Sequence, residues 1–391
     1  MKNNLHRRHF LKTFSSLSAG LTMPMLLSAC GGGETEPVNA TGTSKPETSA
    51  TSTDTSPTTT WLMPDEGDKH LASWMSFNVS SEIWGASMVP HVQDALAKIA
   101  NTIILFEPVK VIVNQANLAA AKTKLDTRIE LITAPADDLW IRDSGCITVR
   151  NKASQRQAVD FNFNGWGNKQ AHANDATIAS NMAKHMNLTH LRSKLVLEGG
   201  ALEVDGQGTA IITESCVINN NRNPGWSKAD IEKELFATLG IRKVIWLPGI
   251  AGKDITDGHT DFYARFVKPG VVLANLEPDP SHYDYAVTRQ HLSLLQNAKD
   301  ASNRALQIIT LSPPSKVRPQ FDGKDFAAGY INFYLVNGGL LCPEFGDAEA
   351  DEKARTILTS LFPDRKVHMI NIDAIAAGGG GIHCATQHEV A

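Results

Sequence analysis

Cysteine is scarce in this chain, and no two cysteines lie close enough in sequence to form a metal-binding or redox pair. The 391 residues include five cysteines, none of them in a Cys-x-x-Cys pattern. Structural zinc sites and the disulfide frameworks of small secreted domains both need closely spaced cysteines, so neither is expected. Each thiol therefore needs its own explanation, as a buried apolar side chain, a modified residue or a nucleophile.

A long hydrophobic run is also missing from the N-terminal segment. The weakly apolar residues 13–29 contain Ser, Gly and Pro, which makes the stretch too short and too polar for a transmembrane helix. The stretch follows Arg7-Arg8, as in twin-arginine export signals. It ends at Leu-Ser-Ala-Cys30-Gly, which resembles the lipobox of bacterial lipoproteins.

We expect residues 1–30 to be a twin-arginine lipoprotein signal, so that the protein is exported to the periplasm and anchored to a membrane by lipid on Cys30. The alternative is an ordinary cleaved signal with an incidental cysteine. Residues 31–60 are rich in Ser, Thr, Pro and Gly and contain almost no apolar side chains, so they cannot bury enough surface to fold. We interpret them as a disordered tether.

An excess of positive charge is absent as well. The formal net charge is −4 at pH 7, and removal of the signal would take away four cations and no acid. A modestly acidic protein is a poor candidate for nucleic-acid binding and is compatible with cationic substrates. We therefore expect a small cationic partner and no nucleic acid.

Residues 61–391 contain no linker and no low-complexity run, and we interpret them as a single domain. Short strand-like runs alternate with helical patterns, which predicts an α/β fold. The predicted strands are residues 102–106, 109–113, 128–133, 146–149, 158–163, 210–213, 243–247, 271–274, 306–310, 333–336 and 367–370. The predicted helices are residues 88–100, 173–186, 228–239, 283–297 and 350–361.

Three carboxylates follow one predicted strand in a short segment that also holds a Trp and an Arg. Asp137, Asp138 and Asp143 all belong to this segment. Carboxylates in one cleft can hold a planar cation such as a guanidinium through bidentate, charge-assisted hydrogen bonds. The alternative is a surface ion-pair cluster around Arg142.

Three further segments carry reactive side chains in unusual contexts. Glu198 precedes two glycines, which allow close approach of the backbone. His259 lies two residues before Asp261, so both side chains point to one face if this piece is extended. Cys384 follows a run of four glycines, and a nearby protonated His would help it to form a thiolate. A turn cap, a loop pair and a buried thiol are the structural alternatives, but the combination favours a catalytic site.

The same segments resemble a known family. The motifs that carry the likeness are Asp138-x-Trp140-x-Arg142-Asp143-Ser-Gly, Glu198-Gly-Gly, Thr256-Asp257-Gly258-His259-x-Asp261, Asn332-Phe333-Tyr334-x-Val336-Asn337-Gly338-Gly339 and Gly-Gly-Gly-x-Ile-His383-Cys384-x-Thr386-Gln387. They are similar to those of the agmatine deiminases, whose wider group includes the bacterial peptidyl-arginine deiminases. The resemblance covers residues 63–387. It implies a five-bladed α/β propeller, the pentein fold, of repeated ββαβ units.

The resemblance also implies roles for individual residues. Cys384 would attack the guanidinium carbon while Asp143 and Asp261 grip the guanidinium nitrogens. His259 would protonate the departing ammonia and then activate water. Glu198 would orient His259 or bind the remaining nitrogen. No metal and no organic cofactor are implied. The further substrate-binding candidates are Asp138, Trp140, Trp166 and Asn332.

Three functions remain open at this point. The first is hydrolysis of agmatine to N-carbamoylputrescine and ammonia through a covalent thiouronium on Cys384. The second is the same chemistry on peptidyl-arginine or free arginine, giving citrulline. Free arginine would need a cation for its carboxylate, and Arg222 and Arg265 are the candidates. The third is a tethered binding protein that captures guanidinium compounds without turnover, although a binder needs no thiol.

Overall fold

Seventeen strands are present among residues 61–391, which are the residues that the computed structural model describes. The expected signal, the tether and Cys30 lie outside the described residues. The strands are β1 (Trp61–Leu62), β2 (His70–Ser76), β3 (Val109–Val113), β4 (Glu130–Thr133), β5 (Ile147–Asn151), β6 (Arg156–Asp160), β7 (Thr189–Arg192), β8 (Leu202–Val204), β9 (Thr209–Thr213), β10 (Lys243–Leu247), β11 (Ala264–Lys268), β12 (Val271–Asn275), β13 (Gln307–Leu311), β14 (Tyr334–Val336), β15 (Gly339–Glu344), β16 (Lys366–Asn371) and β17 (Thr386–Val390).

Helices connect these strands, so the α/β class predicted from the sequence is confirmed. They are α1 (Ser81–Trp84), α2 (Val89–Ile103), α3 (Leu118–Lys124), α4 (Ile141–Ser144), α5 (Gly165–Asn168), α6 (Ile178–His185), α7 (Glu214–Val217), α8 (Lys228–Leu239), α9 (Tyr285–Asn297), α10 (Ala348–Leu361) and α11 (Asp373–Ala376). Three 3₁₀ turns, Asp175–Thr177, Gly199–Ala201 and Thr260–Phe262, complete the set within the described residues. In the same part of the chain, no helix has the length and apolarity needed to cross a membrane.

Five sheets share one pattern of strand directions. Their orders are β17-β2-β3-β4, β1-β5-β6-β7, β8-β9-β10, β11-β12-β13 and β14-β15-β16. In each sheet an antiparallel pair is followed, after a helix, by a strand that joins in parallel; β8 and β9 are such a pair, and β10 follows α8. The repeated unit is therefore ββαβ. β17 pairs with β2, so the first sheet is built from both ends of the described chain.

Local sequence explains where the connecting helices begin and end. Ser227 and Asp230 form a reciprocal capping box at the start of α8, and Gly240 ends the helix in the left-handed conformation. A side chain at Gly240 would also collide with the Trp61 carbonyl oxygen, 2.3 Å from the position of its Cβ. The α8 helix therefore has the bounds that the sequence predicts.

Two predictions about elements were wrong. Residues 102–106 were expected to form a strand, but Ile103 extends the buried stripe of Val92, Leu96 and Ile99 and belongs to α2. Residues 173–186 were expected to form one helix, but a 3₁₀ turn precedes α6, which begins only at Ile178. Strands β2 and β17 were missed because many of their buried residues are polar, so no hydrophobic alternation marks them.

Candidate active site

The five sheets present their polar side chains at equivalent places. Each key residue lies just before the first strand of an antiparallel pair. Asp143 precedes β5, Glu198 precedes β8, and Asp261 precedes β11. Asn332 precedes β14 and Cys384 precedes β17. The repeated ββαβ unit therefore brings together residues that are far apart in sequence.

Cys384 is buried between an amide and a carboxylate. The Asn332 Nδ2 atom donates to the Cys384 Sγ atom over 3.3 Å, and Sγ lies 3.6 Å from Oδ2 of Asp261. Burial is the main reason why the pKa of the Cys384 thiol lies well above its ordinary value, and the charges of Asp261 and Asp143 raise it further. The Cys384 thiol is therefore protonated near pH 7.

Asp261 has one oxygen held and one oxygen without a partner. Oδ2 accepts a hydrogen bond of 2.7 Å from Nδ1 of His383. Oδ1 is buried and has no hydrogen-bond partner among residues 61–391. A buried carboxylate oxygen left unsatisfied is costly, so this atom indicates the place of a hydrogen-bond donor from a substrate.

Asp143 is the second carboxylate of the site and is held by two donors. Trp166 Nε1 donates to Oδ2 over 2.9 Å, and the backbone N–H of Gly200 donates to Oδ1 over 3.1 Å. Burial raises the pKa of Asp143 to about 6, against the opposing charge of His259. Trp166 has a φ of 56°, which is rare for an aromatic residue and indicates that its position at the carboxylate is imposed by the surrounding structure.

His259 lies between two carboxylates. Its Nδ1 atom is 3.7 Å from Oδ1 of Asp143, and its Nε2 atom is 3.3 Å from Oε2 of Glu198. Burial opposes the imidazolium charge, but Asp143, Cys216 and Glu198 outweigh it and raise the pKa of His259 well above its ordinary value. The condition under which both side chains would point to one face, an extended segment, is not met: Thr260–Phe262 is a 3₁₀ turn, and His259 occupies its N-cap position. His259 and Asp261 still reach the same site.

Glu198 is an ionised, fully buried partner of His259. Nε of Arg222 lies 2.8 and 2.9 Å from its two oxygens. Burial works against the carboxylate charge, but Arg222 and His259 lower the pKa of Glu198 to about 2. Glu198 has extended backbone and directly precedes the turn Gly199–Ala201.

The Gly-rich turn before Cys384 permits close packing more than unusual dihedral angles. Of its four glycines only Gly379 has a positive φ, of 84°. An added Cβ at Gly380 would lie 2.2 Å from Trp140, and one at Gly381 would lie 2.3 Å from Oδ1 of Asn332. The turn therefore needs glycine so that Cys384 can approach Asn332.

Asp138 and Trp140 form part of the wall behind this turn. Asp138 accepts from Nε1 of Trp84 over 2.8 Å and from Nε2 of Gln170 over 3.0 Å. The Trp84 and Trp140 rings lie 5.9 Å apart, and Trp84 is the nearest neighbour of a side chain placed at Gly378. The Asp138 carboxylate therefore holds Trp84, which packs against the Gly-rich turn.

Sequence reasoning missed three side chains of the site. His383 connects Asp261 to Glu66, whose Oε2 lies 3.0 Å from His383 Nε2. Cys216 donates to Oε2 of Glu198 over 3.3 Å. No sequence pattern marks the contacts of Glu66, His383 and Cys216, because these contacts depend on tertiary packing. Glu198, Cys216 and His259 form the one group of described residues with the donor atoms and spacing to hold a metal ion.

Together these contacts define a chemistry. Two carboxylates face a site that contains a thiol and an imidazole, and Oδ1 of Asp261 has no hydrogen-bond donor among the described residues. Such a site can hold a planar cation, attack it with sulfur and move protons through the imidazole.

Comparison with known proteins agrees with this chemistry. Residues 62–389 match the family of Porphyromonas-type peptidyl-arginine deiminases. The agmatine deiminase of Stutzerimonas stutzeri is 35% identical over 354 residues, which cover 85% of this chain and 96% of that protein. The agmatine deiminase of Medicago truncatula is 33% identical over 362 residues, or 84% and 96% of the two chains. The solved agmatine deiminase of Enterococcus faecalis superposes with a TM-score of 0.80 at 31% identity, covering 84% of this chain and 96% of the other.

Proposed function

Because this chain belongs to the Porphyromonas-type peptidyl-arginine deiminase family, we propose that it hydrolyses agmatine to N-carbamoylputrescine and ammonia. It is a hydrolase that acts on C–N bonds of amidines. One observation carries the proposal: the Cys384 thiol lies 3.6 Å from Asp261, whose other oxygen is buried without a partner among the described residues. A guanidinium supplies N–H donors for that oxygen and an electrophilic carbon for the thiol.

Binding of the substrate prepares the nucleophile. The same two carboxylates that raise the pKa of Cys384 would each receive N–H groups of the guanidinium. Because the guanidinium cation offsets the charge of the two carboxylates, it lowers the pKa of the Cys384 thiol. The thiol proton passes to solvent water as the thiolate forms, and Asn332 Nδ2 donates to the sulfur throughout.

In the first step the Cys384 sulfur forms a bond to the guanidinium carbon. One C–N bond then breaks, and the departing nitrogen takes a proton from the His259 imidazolium and leaves as ammonia. A raised pKa suits this role because the imidazole is protonated when substrate arrives. The product of this step is a thiouronium on Cys384, still gripped by Asp143 and Asp261.

In the second step the now neutral His259 accepts a proton from water, and the oxygen bonds to the thiouronium carbon. The C–S bond breaks and the sulfur leaves as thiolate. The remaining hydroxyl proton passes to this thiolate as the ureido carbonyl forms, which restores the neutral thiol. Glu198 lies 3.3 Å from His259 Nε2, so it holds the imidazole with Nδ1 directed toward Asp143. Glu198 therefore orients His259 in both steps.

The cations of the site favour agmatine over free arginine. Arg222 is bound to Glu198 and Asp257, and Arg265 is bound to Glu66 and Glu203. Both side chains are almost fully buried. Neither can turn to a substrate carboxylate without breaking its buried ion pairs, which is strongly unfavourable. Agmatine has no carboxylate to bind.

A direct comparison of substrates tests the proposal. Ureido product would be measured with agmatine, free arginine and an arginyl peptide at matched concentrations. We expect the highest kcat/KM with agmatine. A higher value with the arginyl peptide would move the assignment to peptidyl-arginine, and binding without product from any of the three would leave a guanidinium-binding protein.

The sheet pattern supports the finer architecture implied by the resemblance. Five ββαβ sheets each supply one residue or pair to the same site from the same position, before their first antiparallel strand. We propose that they are the five blades of a pentein propeller around a central polar pocket.

We further propose that residues 1–30 direct twin-arginine export and that Cys30 carries a lipid, with residues 31–60 as tether. The support is the sequence itself, Arg7-Arg8 before a short apolar stretch that ends in Cys30. Replacement of both arginines by lysine should leave precursor in the cytoplasm. Normal export of that variant would overturn the twin-arginine assignment, and a mature form without lipid would overturn the anchor.

A further inference from the structure

Two hydrogen-bond donors converge on one oxygen behind the imidazole of His259. Sγ of Cys216 and Nε2 of His259 each lie 3.3 Å from Oε2 of Glu198. All three side chains are buried, and their donor atoms lie within 4.8 Å of one another. The mechanism uses Glu198 and His259 but leaves the Cys216 thiol without a role.

We infer that Glu198, Cys216 and His259 form an inhibitory binding site for a thiophilic divalent metal ion such as Zn²⁺, separate from the nucleophile Cys384. The ion would bind on the side of His259 that faces away from Asp143. It would therefore lie away from the guanidinium and would not act as a cofactor. This consequence for activity rests on the role proposed for His259, whereas the site itself does not.

The donor set and its spacing fit zinc. Thiolate, imidazole and carboxylate are the ligands that Zn²⁺ takes in proteins, and four of them form a tetrahedron. With metal–ligand bonds of about 2.0–2.3 Å, two ligands of a tetrahedron lie about 3.3–3.8 Å apart. The 3.3 Å separations at Glu198 Oε2 fall in this range. Glu198 Oε2 therefore already has tetrahedral spacing to both other ligands, and Cys216 Sγ and His259 Nε2 lie within 4.8 Å of each other.

The charge of the buried site also balances. Cys216 directs its S–H at Glu198, and the His259 imidazolium directs its Nε2–H at the same oxygen. Entry of a dication with loss of these two protons leaves the net charge unchanged. Arg222 can keep its bonds to Glu198 through Nε, as the outer donor that orients a ligating carboxylate.

Metal at this place would stop catalysis without filling the guanidinium pocket. With the ion on Nε2 of His259, the remaining proton sits on Nδ1, the atom that lies 3.7 Å from Asp143. Such an imidazole has no lone pair to accept a proton from water. Bound Zn²⁺ should therefore lower kcat in proportion to occupancy while KM stays unchanged. A metal on Cys384 would instead compete with agmatine and raise KM.

Binding would be measured directly with Co²⁺, which gives a thiolate charge-transfer absorption, followed by displacement with Zn²⁺. We expect the band in the full-length protein and in Cys384→Ala. We expect no band in Cys216→Ala or Cys216→Ser, with Zn²⁺ affinity at least about 10-fold weaker, since even the loss of an outer hydrogen-bond partner of a metal ligand costs about that much. Cys342→Ala is the matched control, because Cys342 is also fully buried but lies in another part of the core.

The variants distinguish the possible results. A band that survives in Cys216→Ser but is lost in Cys384→Ala would overturn the site, as would the absence of a thiolate band in the full-length protein. Cys216→Ser keeps a donor for Glu198, so it guards against a folding defect in Cys216→Ala. If both Cys216 variants fail to fold, two other results support the site. The band should persist in Cys384→Ala, and Zn²⁺ should lower kcat alone in a way that a chelator reverses. Metal binding without any deiminase activity would refute the proposed function but not this inference.

Discussion

Nδ1 of His383 lies 2.7 Å from Oδ2 of Asp261, so the residue next to the nucleophile orients the carboxylate that faces the nucleophile. Nε2 of His383 lies 3.0 Å from Glu66, which is held in turn by Arg142 and Arg265. Burial raises the pKa of Asp261, but His383, with the charges of His259 and Arg265, outweighs burial and the net shift is downward. His383 therefore keeps Asp261 ionised with Oδ1 directed to the substrate.

Replacement of His383 by Gln or Ala should weaken the grip on the guanidinium. A buried hydrogen bond to a charged group contributes about 1.5–3 kcal/mol, so kcat/KM should fall about 10- to 100-fold, mainly through KM. Burial then raises the pKa of Asp261 without its main opposing partner, so Asp261 should titrate together with Asp143 and move the acid limb of the pH profile to higher pH. His190→Gln is the control, since it breaks a partly exposed pair with Asp160 away from the site. A lower melting temperature with an unchanged pH profile would show a merely structural role.

The activity should fall in acid because of Asp143. Burial raises its pKa to about 6, so the carboxyl is neutral below that pH and cannot grip a cation. The raised pKa of His259 keeps the imidazole protonated over the same range, so it does not cause this limb. We expect log kcat/KM for agmatine to decline as pH falls through about 6. Asp143→Asn should remove that inflection from its residual activity, and an unchanged inflection would assign it to another group.

Both carboxylates should matter far more than surface charges. Loss of one partner of a buried charge pair costs about 2–5 kcal/mol, or about 30- to several-thousand-fold, whereas a surface pair costs under about 1 kcal/mol. Asp143→Asn and Asp261→Asn should each lose at least about 30-fold in kcat/KM with little change in melting temperature. A loss below about fivefold in either variant would move that residue out of the pocket.

Gly200 should tolerate no side chain. A Cβ there would lie 2.6 Å from His259 Nδ1 and 3.0 Å from Asp143 Oδ1. Gly200→Ala should therefore displace the imidazole and lower kcat by at least about 10-fold, since loss of a positioned acid–base group costs more than that. Gly323→Ala is the matched control, because the nearest atom to its Cβ is 4.0 Å away. Equal activity of the two variants would contradict the close packing at Gly200.

The amino-acid sequence is informative where chemistry and backbone requirements coincide. Asp143, Glu198 and Cys384 stand close to glycines, and this combination marks their segments in the sequence itself. The common position of these segments before the first strand of each sheet is not visible there, because the ββαβ repeats share too little sequence. The α8 helix is predicted fully since its caps are local, whereas residues 102–106 need the tertiary environment of Ile103 to be recognised as helical.

The residues that orient the reactive groups could not be predicted from the sequence. Glu66 and His383 are 317 positions apart, and the pairing of β17 with β2 brings the two ends of the described chain together. Arg222 and Arg265 are the sequence candidates for partners of a substrate carboxylate, but burial commits them to Glu198 and Glu66. The sequence shows that a side chain is charged, but it does not show with which residue that side chain pairs.

The identity of the covalent intermediate tests the proposed mechanism most directly. Enzyme mixed with agmatine would be quenched in acid during turnover, digested and analysed by mass spectrometry, with His259→Gly as a variant that should slow the second step. The proposed mechanism predicts an adduct with the mass of agmatine less ammonia on the peptide that contains Cys384, and none on the peptides of Cys146, Cys216 or Cys342. An adduct on another cysteine, or turnover with Cys384 unmodified at every quench time, would contradict it.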